Sequence, residues 1–265
     1  MNIAFIGSGS KGNCTYININ DNHILIDVGL SMKKINYGLL SEYGIDLSDI
    51  NIVIITHAHT DHIGSLKSII KNFPNIKYMV PKKIQENIIE KAKVHIPQER
   101  QIPIERSVVG KTMVVYAYEI NHDVPCFAYK IIDKMNNESY LHISDNGGIK
   151  KKELKELFKG CTYYAIESNH DLTLQILDPT RHEGLKRRVL GYYGHTHNAE
   201  AMDLAFNLAT GETKGIIFHH LSEECNTEEL AKDTHDNLLG IWGERTKFKE
   251  IKIRYARQDE VVILA

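Results

Sequence analysis

The apolar positions fall into short runs broken by polar punctuation rather than into any long stretch. Three runs open the chain, at 3–6, 15–19 and 24–27, separated by Gly7-Ser8-Gly9-Ser10-Lys11-Gly12-Asn13 and by Asn20-Asp21-Asn22. Apolar runs bounded by Gly, Ser, Asn and Asp predict consecutive strands joined by turns. A helical pattern covers 30–43, and the β-branched run 52–56 predicts a strand covered on both faces. Helical spacing over 61–71, a strand at 76–80 and a helix at 82–93 follow, then strands at 113–120, 126–132 and 140–144. Beyond these, helices at 150–158, 198–208 and 227–239 are interspersed with strands at 162–166, 215–218, 248–255 and 261–264. The pattern predicts an α/β fold of two sheets packed face to face and flanked by helices. No linker, low-complexity tract or repeat interrupts it, so a single domain over 1–265 is expected.

Composition refines this picture in three ways. Lys plus Arg number 32 against 34 Asp plus Glu, a formal net charge of −2 over 265 residues. No global positive field draws the chain onto nucleic acid, and any polyanion site must be a local patch. No segment approaches the ~18 apolar residues of a membrane span, and Met1-Asn2-Ile3-Ala4-Phe5 enters a strand without a basic leader and long apolar stretch. Membrane contact is therefore not expected, and a cytoplasmic location is. Cys14, Cys126, Cys161 and Cys225 lie far apart without C-x-x-C pairing, which excludes a zinc ribbon and argues against a disulfide framework. Fourteen histidines, many for this length, are a first hint of metal chemistry.

The strand ending at Thr56 runs into His57-Ala58-His59-Thr60-Asp61-His62, four potential ligands within six residues. In an extended loop, residues two apart point the same way, so His57 and His59 can grip one ion together. Asp61 and His62 stand where a helix begins and can turn toward a second ion. The carboxyl end of a strand is also where open α/β sheets usually place their sites.

This run resembles the signature of the metallo-β-lactamase superfamily, which implies an αββα sandwich of two packed mixed sheets flanked by helices. The resemblance also implies three further ligands, each after a strand: His122 in Asn121-His122-Asp123, Asp145 in Ser144-Asp145-Asn146-Gly147-Gly148, and His220 in His219-His220-Leu221-Ser222. His220 is chosen over His219 because it directly precedes Leu221-Ser222, as in the family motif. Asp145 would bridge two divalent ions, with His57, His59 and His122 completing one site and Asp61, His62 and His220 the other. Nitrogen and carboxylate ligands without thiolate suit zinc and tolerate manganese or iron. Such a pair of ions can lower the pKa of a water from ~15.7 to ~7, making a bridging hydroxide available as nucleophile.

Several further segments resemble the YycJ-like (WalJ-like) branch, associated with exonuclease activity on DNA, and more distantly the ribonuclease Z-like phosphodiesterases. They are Gly7 to Cys14, Glu167-Ser168-Asn169-His170-Asp171, Leu185-Lys186-Arg187-Arg188, Gly194-His195-Thr196, and the stretch from His220 to Thr227. Two departures stand out: Thr196-His197 replaces the usual Leu-Ser after Gly-His, and the Asp145 turn reads Asn-Gly-Gly. Hydrolysis of a phosphodiester leaves an alkoxide that needs a proton. His195 is the candidate acid, oriented by Glu167 as a carboxylate holds an imidazole tautomer, with His170 as competitor. Asp61 is expected to ligate an ion and to accept a hydrogen bond from the attacking water. Lys11, Arg187 and Arg188 are candidates for binding backbone phosphates, with Lys150-Lys151-Lys152 as an extension. The reading is a dinuclear nuclease, on DNA rather than RNA, its oligomeric state open. The alternatives are a metal-dependent hydrolase of a small ester, thioester or cyclic phosphodiester, and a non-hydrolytic metalloprotein, either a redox or a metal-sensing module.

Overall fold

The computed structural model describes residues 1–104, 106–109, 112–149, 152–243 and 248–265, with backbone alone over 106–109. Six strands form one mixed sheet in the order β13-β1-β2-β3-β4-β5: β1 (Asn2–Gly7), β2 (Cys14–Ile19), β3 (Asn22–Ile26), β4 (Ile52–Ile54), β5 (Lys77–Met79) and the closing β13 (Val262–Ile263). Seven form the other, in the order β12-β11-β10-β9-β8-β7-β6: β6 (Arg106–Val109), β7 (Met113–Ile120), β8 (Cys126–Asp133), β9 (Glu138–Ile143), β10 (Tyr163–Glu167), β11 (Gly215–His219) and β12 (Lys252–Tyr255). Each sheet has an antiparallel part and a parallel part, β3-β4-β5 in the first and β9-β10-β11-β12 in the second.

Side-chain alternation along the strands sorts the apolar residues into three layers. Between the sheets lie Ile3, Phe5, Ile17, Ile52, Ile54, Val115, Tyr129 and Ile217. Outside the first sheet, Tyr16 and Val53 pack on α1 (Met32–Tyr43), α3 (Leu66–Asn72) and α4 (Lys82–Ala92) through Ile35, Leu39, Ile69, Ile84 and Ile88. Outside the second, Leu141, Tyr164 and Ile216 pack on α5 (Lys152–Phe158), α8 (Asn198–Leu208) and α9 (Glu228–Ile241) through Phe158, Met202, Ala205 and Ala231. Neighbours such as Ile52 and Val53, or Tyr164 and Ala165, thus serve different layers, as the αββα sandwich requires.

The continuous helix expected over 61–71 is two helices, α2 (Thr60–Ile63) and α3, parted at Gly64-Ser65. The interruption has a cause in the neighbouring loop. The carbonyl of Asp61 accepts from Asn13 N at 2.8 Å, and Ser65 N donates to Val28 O at 2.9 Å, so this turn is bonded outward. Four other segments had no counterpart in the sequence pattern: a 3-10 turn at Gln98–Arg100, β6, α6 (Leu172–Leu177) and α7 (Glu183–Leu190). The strand expected at 248–255 is confined to β12, and the helix expected at 150–158 is described from Lys152, Lys150 and Lys151 lying outside the described residues. Among the described residues, no helix is long and apolar enough to cross a membrane.

Candidate metal centre

The chemistry-bearing side chains cluster at the carboxyl ends of the central strands of both sheets. Asp27 follows β3, His57 follows β4, His122 follows β7, Asp145 follows β9, Glu167 ends β10, and His220 follows β11. Four of the ligand candidates, His57, His59, His122 and Asp145, bring one ligand atom each to within 4.8 Å of one another. Asp61, His62, Asp145 and His220 do the same, so Asp145 belongs to both groups. Its two oxygens divide between them. Oδ2 lies 3.6 Å from His57 Nε2 and 3.8 Å from His122 Nε2, whereas Oδ1 lies 3.5 Å from His62 Nε2 and 3.2 Å from His220 Nδ1.

Buried carboxylates hold these imidazoles from behind. Asp27, 1% exposed, accepts from His62 Nδ1 at 2.7 Å, and from Thr56 N and Thr56 Oγ1 at 2.8 and 2.7 Å. Glu167 Oε1 faces His195 Nδ1 at 2.7 Å and His220 Nδ1 at 3.0 Å, while Oε2 accepts from the backbone N–H of Asn146 and Thr196. His220 Nε2 is left buried with no hydrogen-bond partner, 3.5 Å from Asp61 Oδ2. On the other group, Asp123 Oδ1 approaches His59 Nε2 at 3.2 Å, leaving His59 Nδ1 3.1 Å from His57 Nε2 and 3.4 Å from His122 Nε2.

The electrostatics suit a cation. Burial opposes charge on every group here, yet the carboxylates prevail at two histidines: Asp145 and Asp27 hold His62 up at about 10, and Asp145 with Asp61 and Glu167 holds His220 well above its usual range. Burial also opposes ionisation of Asp145, but His220, His62 and His57 outweigh it and keep its carboxyl well below the ordinary range. His57, by contrast, is pushed well down by burial and stays a neutral, ligand-competent imidazole. A buried pocket that draws positive charge onto imidazoles, and leaves one ring nitrogen without a partner, has the donor set of a divalent-ion site.

The remaining candidates separate by position. His195 lines a cleft of about 250 Å³ with His59, Asp61, Asp145, His220 and Arg188. Burial lowers its tendency to hold a proton, and Glu167 more than restores it, raising His195 above the usual imidazole range. Asp145, Glu167, His195 and His220 also fall within 4.8 Å of one another, but the 2.7 Å bond to Glu167 engages His195 Nδ1. His170 lies off this cleft, fully buried with its Nε2 unpartnered, and burial pushes it down to about 4. Arg188 stands at the mouth, 3.8 Å from Asp123, while Arg187 is exposed and is not one of the residues lining the cleft. Lys11 is exposed and paired with Glu223 at 2.7 Å. Sequence reading passed over Asp27, Asn13, Asp123 and Arg181, the last a lining residue held by Glu224 and Gln175. An Asp closing β3 was the visible signal for Asp27, but its partners are 29 and 35 positions away.

Comparison with known proteins adds to this geometry. The metallo-beta-lactamase superfamily model matches residues 7–119. The chain is 30% identical over 248 residues to Exodeoxyribonuclease YycJ of Bacillus anthracis, covering 90% of this chain and 89% of that protein. It is 28% identical over 238 residues to Exodeoxyribonuclease WalJ of Streptococcus pneumoniae, covering 89% and 87%. Among solved structures, the metallo-beta-lactamase fold protein YhfI from Bacillus subtilis matches with a TM-score of 0.68 at 13% identity, over 99% of this chain and 100% of that one, a likeness of fold alone.

Proposed function

This chain belongs to the metallo-beta-lactamase superfamily and is a metal-dependent hydrolase; from that premise we propose that it is a dinuclear phosphodiesterase that degrades DNA as an exonuclease. The observation that carries the dinuclear reading is Asp145, whose two oxygens face two different histidine groups. His57, His59 and His122 would hold one ion, and Asp61, His62 and His220 the other. When bound, two divalent ions supply Lewis acidity to the phosphate and lower the pKa of a water to ~7. Zinc fits the donors, and manganese or iron is compatible with them.

The chain's own residues do the rest. Asp61 accepts a hydrogen bond from the attacking water and so orients its oxygen toward phosphorus. As the bond between phosphorus and the leaving oxygen breaks, that oxygen takes the proton on His195 Nε2, because Nδ1 is engaged by Glu167. Burial keeps His170 deprotonated at neutral pH, which supports His195 in this role. Arg188, at the cleft mouth, is placed to meet a flanking phosphate. The names of the two exodeoxyribonuclease relatives support DNA as the substrate.

The test is degradation of end-labelled DNA and RNA beside bis(p-nitrophenyl) phosphate and a thioester. Stepwise release of nucleotides from a DNA end is expected. His195→Ala should lower DNA turnover by ~10²–10⁴-fold, with a much smaller loss on the nitrophenyl ester, whose leaving group needs no proton. Thioester hydrolysis without attack on any polynucleotide would overturn the nuclease reading.

A further inference from the structure

The turn that delivers His195 carries an aromatic pair for which the reaction above has no use. Gly191-Tyr192-Tyr193-Gly194 leads from α7 into His195, and its backbone is tightly held. Gly194 N donates to Gly191 O at 2.8 Å, His195 N to Val189 O at 2.9 Å, and His122 Nδ1 to Gly194 O at 3.3 Å. A Cβ at Gly194 would meet Val189 O at 2.0 Å, so the chain approaches itself here as only glycine permits. On this fixed turn Tyr192 and Tyr193 stand 48% and 57% exposed. Their ring centroids are 4.9 Å apart and their planes 85° from parallel, so the two rings present faces in different directions. Tyr192 lines a cavity of about 430 Å³ together with His195. Tyr193 lines a cleft of about 340 Å³ together with His122 and Asp123. The pair therefore straddles the edge of the metal centre, and exposed Arg188 lies on the adjoining cleft.

Large aromatic rings held rigidly in water offer stacking surface at little further cost in conformational entropy. A base has such a face whatever its identity, and a nearby guanidinium meets the phosphate that accompanies it. We propose that Tyr192 and Tyr193 form a stacking platform for unpaired bases of single-stranded DNA flanking the phosphate under attack. The inference rests on the nuclease reading of the same site. It assigns the platform to substrate positioning, with Leu172 and Leu190 extending the apolar floor on the Tyr192 side.

The experiment compares wild type with Tyr192→Ala, Tyr193→Ala and the two Tyr→Phe variants. Binding of a fluorescein-labelled, phosphorothioate oligo(dT) is read by anisotropy, and hydrolysis is followed on oligo(dT) and on bis(p-nitrophenyl) phosphate. Each Ala variant should weaken oligonucleotide binding roughly 5- to 150-fold, the span of one base–aromatic stack. The Phe variants should stay close to wild type, because the ring face is kept. Turnover of the nitrophenyl ester at saturating concentration should be unchanged throughout, because the platform meets flanking rings and not the phosphate under attack. An abasic residue beside the cleaved phosphate should lower wild-type affinity and abolish the Ala effect. If wild type degrades oligo(dT) and the Ala variants bind it equally well, the platform is overturned while the nuclease reading stands. If wild type attacks no polynucleotide, the nuclease reading itself falls. Loss of binding in the Phe variants as large as in the Ala variants would overturn stacking. A dimer in sedimentation that the Tyr→Ala variants dissociate would do so as well.

Discussion

Asp27 occupies a left-handed backbone position, φ 60°, at the end of β3, and every oxygen of its side chain is engaged by Thr56 or His62. It fixes His62 with Nδ1 as donor and Nε2 turned toward Asp145 and Asp61. Asp27→Asn keeps the shape and loses the charge, so divalent-ion affinity at the His62 group should fall ~10–100-fold, as for other residues behind metal-ligating histidines. Competition with a chromophoric chelator measures this, and unchanged affinity in a folded variant would show that His62 needs no such support. His219 and His220 show how much one position matters. His219 spends Nε2 on Ile143 O at 2.8 Å and packs on Phe5, whereas His220, at φ 58°, swings out of the strand toward Asp61 and Asp145. The choice of His220 in the sequence came from its Leu-Ser neighbours, since two adjacent histidines at a strand end look alike without the backbone turn.

At the level of elements, the ligand-bearing loop after β4 is positioned by the loop after β3. Gly29 lies against the Asp61 carbonyl so closely that a Cβ would meet that oxygen at 1.6 Å, and its N–H donates to Asn13 O. The two loops and the β1–β2 turn are thereby locked together beneath α2. Gly29→Ala cannot be relieved by a side-chain rotation, because the obstacle is main chain. It should cost ~1–3 kcal/mol or more in urea denaturation and displace Asp61 from its ligand position. A variant with wild-type stability and metal content would mean that the loop yields cheaply. The break between α2 and α3 has the same origin: helical spacing over 61–71 was real, but outward bonding at Asp61 and Ser65 overrode it.

Across the whole molecule, strand ends from both sheets converge on one cluster in which Asp61, Asp145 and Glu167 are interleaved with histidines. Bound cations would take the place of the protons that these carboxylates draw onto His62 and His220, and only the folded chain assembles that donor set. Two ions, each at 100 times its dissociation constant, should stabilise the fold by ~2.7 kcal/mol apiece, ~5.4 kcal/mol together, so chelation should lower Tm by roughly 11–22 °C for a chain of this size. Calorimetry with and without EDTA tests this, with Asp145→Ala as the control that should respond far less; equal responses would mean that the ions sit elsewhere. Short apolar runs set among helical patterns were enough to predict two sheets with helices outside, because strands apolar on both faces need cover on both. The run from His57 to His62 was legible because its ligands are local, and an extended loop followed by a helix start sets their directions. His122, Asp145 and His220 were accessible only through family resemblance, since nothing in their spacing says that three separate strand ends meet. The pairing of Asp27 with His62 and of Glu167 with His220 was decided by tertiary structure alone. Those relations join residues tens of positions apart, and sequence periodicity carries no distance information beyond the element in which it is read.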